Sequence, residues 1–250
     1  MGIGFFGVRR STVYLFIATT FLFLGFSSPA SALTFDITYD SDFNSNTAAK
    51  DAFIRGADQW SAIFTDDITI EFDANFDPLG GLTLGQASTG LWGVGYDTVR
   101  DAMVTDGAAE SDDGITAYLP TAAQFSANLD AGDALDTTLK LATGKALLKA
   151  LGFNSGNLNL GTGWSDPDST ITFSSDYSWD YDNSDGVTAG LIDFESVVAH
   201  EIGHALGFTS QVDSFDGASQ TASPAPLDLF RFSASADPSS NAEFTTFARD

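Results

Sequence analysis

Two histidines, four residues apart, constrain this chain more than any other feature of its sequence. His200 and His204 are the only histidines among its 250 residues, and Glu201 directly follows the first of them. In a helix, residues with this spacing lie on one face, one turn apart, so both imidazoles can reach one tetrahedral zinc ion. Glu201 is then the expected general base for a water molecule that zinc activates, because zinc lowers the pKa of such a water to about 7.

The residues around the two histidines predict a helix that ends shortly after them. Asp193 is suited to capping the first turn, and Glu195 suits the positive end of the helix dipole. Val198 and Ile202 continue an apolar stripe that would face a core. Gly207, three residues after the second histidine, predicts that the helix breaks and the chain turns there. This context favours a metal site over the alternative, a buried amphipathic helix whose histidines only satisfy hydrogen bonds.

The charge balance and the composition exclude several classes of partner and chemistry. The 34 acidic residues against 10 basic ones give a formal net charge of −24. Such a surface would repel nucleic acids and anionic membranes, so neither is an expected partner. The chain contains no cysteine, which excludes a disulfide framework, thiol catalysis and cysteine ligands for a metal. Hydrophobic residues make up 43% of the sequence, which is enough to bury a core.

The first 32 residues have the pattern of a secretory signal peptide. Arg9 and Arg10 form its positive region, an apolar segment follows, and the small residues that end at Ala32 are typical of a cleavage site. The alternative, a membrane anchor, is disfavoured because the apolar run is short for a membrane span. We therefore expect one exported domain over residues 33–250, secreted or at the cell surface, with no stable membrane insertion once the signal is removed.

Two periodicities alternate along the exported part and predict strands together with helices. Alternation of apolar and polar residues predicts strands at Leu33–Tyr39, Ile68–Phe72 and Thr170–Ser174. A helical pattern with an apolar side covers Thr47–Phe64. Because the strand Thr170–Ser174 comes just before the histidine helix in sequence, it is predicted to be the sheet edge that pairs with a substrate backbone.

Two further segments are rich in charged residues, one acidic and one basic. The loop Asp180–Gly186 is rich in carboxylates and resembles a calcium loop, although Gly186 is one place late and no glutamate closes it. Calcium binding and ordinary turn chemistry both stay open for this loop. The segment Thr137–Leu151 fits a helix or a strand, and its three lysines are expected on a solvated face. These lysines are Lys140, Lys145 and Lys149.

The sequence around the histidines resembles that of a known group of enzymes. The block Ser196–Ser210 resembles secreted bacterial zincin metalloproteases of the kind associated with PEP-CTERM surface sorting, and its part His204–Ser210 is similar to leishmanolysin-type metzincins. The lead-in Asp193–Glu195 and the segment Leu227–Phe232 also fit the first group. The resemblance implies an α+β, metzincin-like fold, with a twisted mixed sheet, a long N-terminal helix and an active-site helix. It also implies zinc endopeptidase activity, with the two histidines as ligands and the glutamate as base.

The chain departs from this resemblance where a third zinc ligand is usual. The third position after the glycine is Ser210, a poor zinc ligand, no histidine follows His204, and no methionine lies downstream to form a methionine turn. The resemblance then implies a chain that lacks its C-terminal subdomain, with the third ligand beyond Asp250. The carboxylates within the chain that could complete the site are, in order of preference, Asp213, Asp216 and Glu243.

These observations together predict a secreted endopeptidase that hydrolyses peptide bonds in a protein or peptide substrate. The predicted cofactor is zinc, and calcium is a second candidate through the acidic loop. Two alternatives stay open. One is an exported module without catalytic activity that uses calcium in surface adhesion, and the other is a truncated fragment of a protease.

Overall fold

The structure is a computed structural model, and it describes residues 33–110, 113–129, 132–158, 163–212 and 221–250. The predicted signal peptide, residues 1–32, lies outside them. The strands are β1 (Thr34–Tyr39), β2 (Thr69–Asp77), β3 (Gly85–Thr89), β4 (Leu91–Gly95), β5 (Ala134–Leu135), β6 (Lys140–Gly144), β7 (Ser169–Ser174), β8 (Trp179–Asp180), β9 (Ile192–Asp193) and β10 (Thr221–Ala222). The α-helices are α1 (Ser41–Ser45), α2 (Thr47–Ser61), α3 (Tyr96–Gly107), α4 (Lys145–Ala150), α5 (Phe194–Leu206) and α6 (Asn241–Thr246). Within the described residues, no helix combines the length and the apolar character needed to cross a bilayer.

A four-stranded mixed sheet in the order β1-β2-β7-β3 is the centre of the fold. β1 and β2 are parallel, β2 and β7 are parallel, and β3 pairs with β7 in the antiparallel sense. This combination of a mixed sheet with helices confirms the predicted α+β class. The predicted strands correspond to β1, β2 and β7, and the predicted long helix corresponds to α2, which ends at Ser61 rather than at Phe64.

The sheet order corrects the prediction of which strand forms the edge. β7, which contains the predicted edge segment Thr170–Ser174, lies between β2 and β3, and its Phe173 is completely buried. The edge next to it is β3, whose sequence is Gly-Gln-Ala-Ser-Thr. The prediction was wrong because order along the chain does not fix order within a sheet, and β3 carries little of the apolar alternation that marks a strand.

A cluster of aromatic side chains joins the sheet to the two longest helices, α2 and α5. Phe194 at the start of α5 lies 4.6 Å from Phe173 of β7 between ring centroids, and Phe43 lies 4.4 Å from Phe76. The two helices approach closely because α2 has a glycine at the contact. A Cβ atom at Gly56 would lie 2.6 Å from Cγ1 of Val198 in α5. Apolar burial therefore holds α5 in place on the sheet.

A second apolar cluster lies around the small antiparallel sheet of β4 and β6 and includes the last residues of the chain. Arg249 is only 2% exposed, and its guanidinium carbon lies 4.5 Å from the ring centroid of Phe232 and 5.0 Å from that of Phe244. Its Nε donates to the Leu229 carbonyl over 2.7 Å. These contacts hold the segments within residues 221–250 to one another. The Arg249 N–H donates to the Ser126 carbonyl over 2.9 Å, and the N–H of Asn128 donates to the Arg249 carbonyl over 2.7 Å, which joins the segment to the rest of the domain.

The lysines of α4 form a buried ionic cluster, which corrects the prediction of a solvated face. The Lys145 side chain is 1% exposed and its Nζ lies 3.4 Å from Oδ1 of Asp168, whose side chain is fully buried. Lys149 donates to Oδ2 of the same carboxylate over 2.8 Å and lies 3.2 Å from Glu71. Lys140 alone is exposed as predicted. The two lysines lie inward because both ammonium groups pair with the buried Asp168 carboxylate. No sequence pattern predicts this pairing.

Removing the central carboxylate should destabilise the fold more than removing the outer one. Asp168→Asn removes the buried carboxylate that pairs with Lys145 and leaves it only the half-exposed Glu71 at 3.6 Å as a charge partner, so we expect a loss of about 3–5 kcal/mol in the free energy of unfolding. Glu71→Gln removes the same charge from a side chain that is 51% exposed, and should cost no more than about 1 kcal/mol. Urea unfolding of both variants measures the difference. Equal losses would contradict the assigned role of Asp168.

Candidate metal centre

Helix α5 is held against α2 by polar contacts as well as by the apolar core. Glu195 in its first turn accepts hydrogen bonds from Arg55 Nε and Gln59 Nε2, both over 2.9 Å. Further along, the Trp60 indole N–H donates to the Ala199 carbonyl over 2.9 Å. These contacts lie on the side of α5 that faces α2. They fix the rotation of the helix and therefore the direction in which its remaining side chains point.

Asp193 precedes α5 as predicted, but its side chain does not cap the helix. No backbone N–H of the first turn donates to it. Its carboxylate instead accepts from the amide of Asn183 over 3.1 Å and from the hydroxyl of Ser196. The prediction of a capping role was therefore wrong, because these side-chain donors lie within reach of the same carboxylate.

The predicted end of the helix at Gly207 is confirmed. Gly207 adopts a φ of +111°, in the region that favours glycine. Its N–H donates to the His204 carbonyl over 3.1 Å, and the N–H of Phe208 donates to the Gly203 carbonyl over 3.0 Å. This pair of bonds is a Schellman motif, which reverses the chain directly after the helix. The reversal brings the carbonyl of Phe208 back towards the last turn.

The two histidine side chains converge on a single point. Their Nε2 atoms are 3.0 Å apart, and the ring planes are nearly perpendicular, at 86°. Two nitrogens that share a tetrahedral zinc at about 2.0–2.1 Å lie roughly 3.3 Å from each other. The observed separation is close to this value, and it is also a hydrogen-bond distance between the two rings. Imidazole nitrogens are also donors that zinc favours. The residues present therefore fit zinc in their chemistry and in their spacing.

A backbone carbonyl sets the protonation pattern of the second histidine. Nδ1 of His204 lies 2.9 Å from the carbonyl oxygen of Phe208. A carbonyl oxygen only accepts, so Nδ1 carries the hydrogen and Nε2 presents its lone pair towards His200. This is the arrangement in which a histidine binds a metal through Nε2, with its other nitrogen held by an outer partner.

Glu201 lies beside the histidines at the boundary between α5 and β3. It is 5% exposed, and a Cβ atom placed on Gly85 of β3 would lie 2.7 Å from its Oε1. Burial raises the pKa of the Glu201 carboxyl above its ordinary value, while the two nearby histidines and the backbone N–H of Ala87 partly oppose the rise. A carboxylate with a raised pKa is a better proton acceptor at neutral pH.

The open edge of β3 runs past this carboxylate. The N–H of Ser174 donates to the Leu84 carbonyl over 2.8 Å, and bonded pairs alternate along an antiparallel ladder. The backbone groups of Gly85, Ala87 and Thr89 therefore point away from β7, towards the free edge. In the described part of the chain, the sheet ends at this strand. The Ala87 N–H already donates to the Glu201 carboxylate, so an extended peptide could pair with the remaining groups of this edge.

Ser210, at the third position after the glycine, is not available to a metal. Its hydroxyl donates to Oδ1 of Asp228 over 2.6 Å and accepts from Arg231 Nη1 over 3.1 Å and from the N–H of Val212 over 3.2 Å. A serine hydroxyl has one hydrogen and two lone pairs, so all its bonding capacity is used. That Ser210 is a poor zinc ligand stays a prediction.

Of the three carboxylates that are candidates for a third zinc ligand, the structure describes one. Asp213 and Asp216 lie outside the described residues. Glu243 accepts from both the N–H and the hydroxyl of Ser239 over 2.7 Å at the start of α6. Among the residues that the structure describes, no three histidine, aspartate or glutamate side chains are grouped to hold a metal ion. The described site therefore consists of two imidazoles and the adjacent glutamate.

The acidic loop Asp180–Gly186, for which calcium binding and turn chemistry were both open, uses its carboxylates in turns. Asp180 accepts from the N–H groups of Thr188 over 2.7 Å and Asp182 over 3.0 Å, and Asp182 accepts from the N–H of Ser184 over 3.2 Å. The bond from Thr188 is the main reason why the pKa of Asp180 is lowered. Turn chemistry thus accounts for these oxygens, and calcium binding stays a prediction.

No family model, curated protein or solved structure matches this chain. The chemistry of the site is therefore the basis for assigning a function. Three of its parts were not predicted from the sequence: Gly85 against the glutamate, the carbonyl of Phe208, and Asp228 behind Ser210. A glycine within a strand is a known sign of close approach, so Gly85 carried a usable signal. The Phe208 carbonyl and Asp228 carried no such signal.

The contact between Gly85 and Glu201 predicts a specific steric conflict. Gly85→Ala places a methyl group on Oε1, so we expect a loss of about 1–3 kcal/mol in the free energy of unfolding. Gly90→Ala is the matched control, since its nearest neighbour would be Trp92 at 3.4 Å. Chemical unfolding of both variants measures the effect.

A double variant makes this prediction sharper. Glu201→Ala removes the conflicting carboxylate, so Gly85→Ala should cost much less stability in that background, with a coupling of about 1 kcal/mol or more. If Gly85→Ala costs the same in both backgrounds, Glu201 does not lie where the structure places it.

Proposed function

We propose that this protein is a secreted zinc-dependent endopeptidase with a metzincin-like fold. The observation that carries the proposal is the convergence of the His200 and His204 Nε2 atoms to 3.0 Å, with buried Glu201 at the adjacent position of the helix. The mixed sheet, the long helix α2 and the placement of α5 beside an antiparallel edge strand also support it. Export rests on the signal pattern that ends at Ala32.

The residues of the site have distinct roles in this proposal. His200 and His204 hold the ion, and the Phe208 carbonyl keeps His204 in the required tautomer. When bound, zinc supplies activation of a water molecule and polarisation of the substrate carbonyl. Glu201 takes the proton from the attacking water and later delivers it to the nitrogen of the departing amine. Its raised pKa suits both steps, because the same group must accept a proton and then release it.

The substrate backbone is proposed to lie along β3. The outward-facing groups of Gly85 and Thr89 and the carbonyl of Ala87 offer donors and acceptors to an extended peptide, as in other cases of strand addition, while the Ala87 N–H stays bonded to Glu201. Glu201 lies against Gly85 at this edge. A peptide bond paired there would therefore be near both the glutamate and the histidines. This edge replaces β7, which the sequence had suggested for the same role.

Replacing Glu201 tests the proposal directly. Glu201→Gln keeps the size of the side chain but removes the base, so proteolysis of an unfolded protein substrate should fall by about 10²–10⁴-fold. Glu71→Gln, in strand β2, removes an equal charge from a half-exposed side chain that pairs with Lys149, and should leave proteolysis close to the parent rate. Both variants should retain zinc, measured by elemental analysis, because neither alters a histidine.

Two results would contradict the proposal. One is Glu201→Gln retaining the parent rate in a chain that still binds zinc. The other is a correctly folded parent protein that loads zinc but has no proteolytic activity. If that parent also shows calcium-dependent adhesion that Glu201→Gln leaves intact, the inactive surface module is the better account.

A further inference from the structure

Asp228 is a buried carboxylate whose role no sequence pattern indicates. It is 5% exposed and lies in the 3-10 helix Pro226–Phe230. Its Oδ1 accepts from the Ser210 hydroxyl over 2.6 Å. Its Oδ2 accepts from the backbone N–H groups of Gln211 over 3.0 Å and Ala225 over 2.8 Å. One side chain thus ties the segment after α5 to the 3-10 helix.

This anchored segment is the one that supplies the outer partner of His204. Phe208 is held on one side by the Schellman motif, through its N–H bond to Gly203. On the other side, Ser210 and Gln211 follow within three residues and are fixed to Asp228. The Phe208 carbonyl that contacts Nδ1 of His204 is therefore constrained from both directions.

Resting on the proposed function, we infer that Asp228 is a positioning residue for the metal centre. Its bonds to Ser210 and Gln211 keep the Phe208 carbonyl on Nδ1 of His204, so that the lone pair on Nε2 stays directed at His200. Asp228 touches neither histidine. Its effect reaches the site through the backbone, as the outer partners of metal-binding histidines do.

The number of bonds to Asp228 explains why a carboxylate suits this position. Three donors converge on its two oxygens, and a carboxylate offers only acceptors. An asparagine would keep one acceptor oxygen for the two backbone N–H groups, and its amide would face the Ser210 hydroxyl. Asp228→Asn should therefore keep part of the arrangement, whereas Asp228→Ala should remove all of it.

The two histidines allow the inference to be tested without measuring catalysis. Nitrogen NMR of the metal-free protein distinguishes imidazole tautomers, and only two rings contribute signals. In the parent, His204 should be protonated at Nδ1. In Asp228→Ala we expect a mixture of tautomers and a zinc affinity reduced by about 10–100-fold, measured by competition with a chromophoric chelator. Asp228→Asn should lie between the two.

Matched variants separate positioning from general stability. Asp168→Ala removes another buried aspartate, and it should destabilise the fold but leave the His204 tautomer and the zinc affinity within twofold of the parent. Ser210→Ala breaks the bond to Oδ1, together with the bonds that the hydroxyl accepts from Arg231 and Val212, but leaves the two backbone bonds to Oδ2. It should shift the tautomer in the same direction as Asp228→Ala. Ser210→Ala therefore tests the inference even if Asp228→Ala does not fold.

The inference is overturned if the folded Asp228 and Ser210 variants keep the parent tautomer and the parent zinc affinity. It is also overturned if Asp168→Ala changes the His204 tautomer and the zinc affinity as strongly as Asp228→Ala does. Because the tautomer is read in metal-free protein, this result is independent of the proposed function. A parent that binds no zinc, with the predicted tautomer shift in its Asp228 variants, would contradict the endopeptidase while still supporting the positioning of the His204 ring by Asp228.

Discussion

The packing of α5 into the aromatic core is the interaction on which the rest of the site depends. Phe194, Val198 and Ile202 are all completely buried, and they fix one face of the helix against the sheet and against α2. The opposite face then has to carry His200 and His204 towards solvent. The histidines therefore converge because apolar burial orients their helix, and this orientation does not require a metal.

The polar parts of the site follow from the two ends of this helix and from its neighbour β3. At the C-terminal end, the left-handed conformation of Gly207 reverses the chain and brings a carbonyl to His204. On the side of β3, the absence of a side chain at Gly85 leaves room for Glu201 in a buried position. Two glycines thus allow the backbone to approach the site where a larger residue would block it.

The sequence predicted the parts of this arrangement that depend on local periodicity and on side-chain chemistry. The extent of α5, the turn at Gly207, the principal strands β1, β2 and β7 and the α+β class follow from such signals. The edge position of β3 and the burial of Lys145 did not, because both depend on which distant segments pair. The roles of the Phe208 carbonyl and of Asp228 could not be predicted either. Backbone groups carry no sequence signature, and the sequence does not distinguish a buried aspartate from an exposed one.

The most direct test of the central claim, that the two histidines form a zinc site, is the zinc content of the purified protein. Elemental analysis after incubation with zinc and removal of the excess should give close to one zinc per chain, falling to background in His204→Ala. The variant should unfold at a denaturant concentration close to that of the parent when both are metal-free, because α5 is held by its apolar face. A parent that retains no zinc, or a variant that retains as much as the parent, would contradict the account.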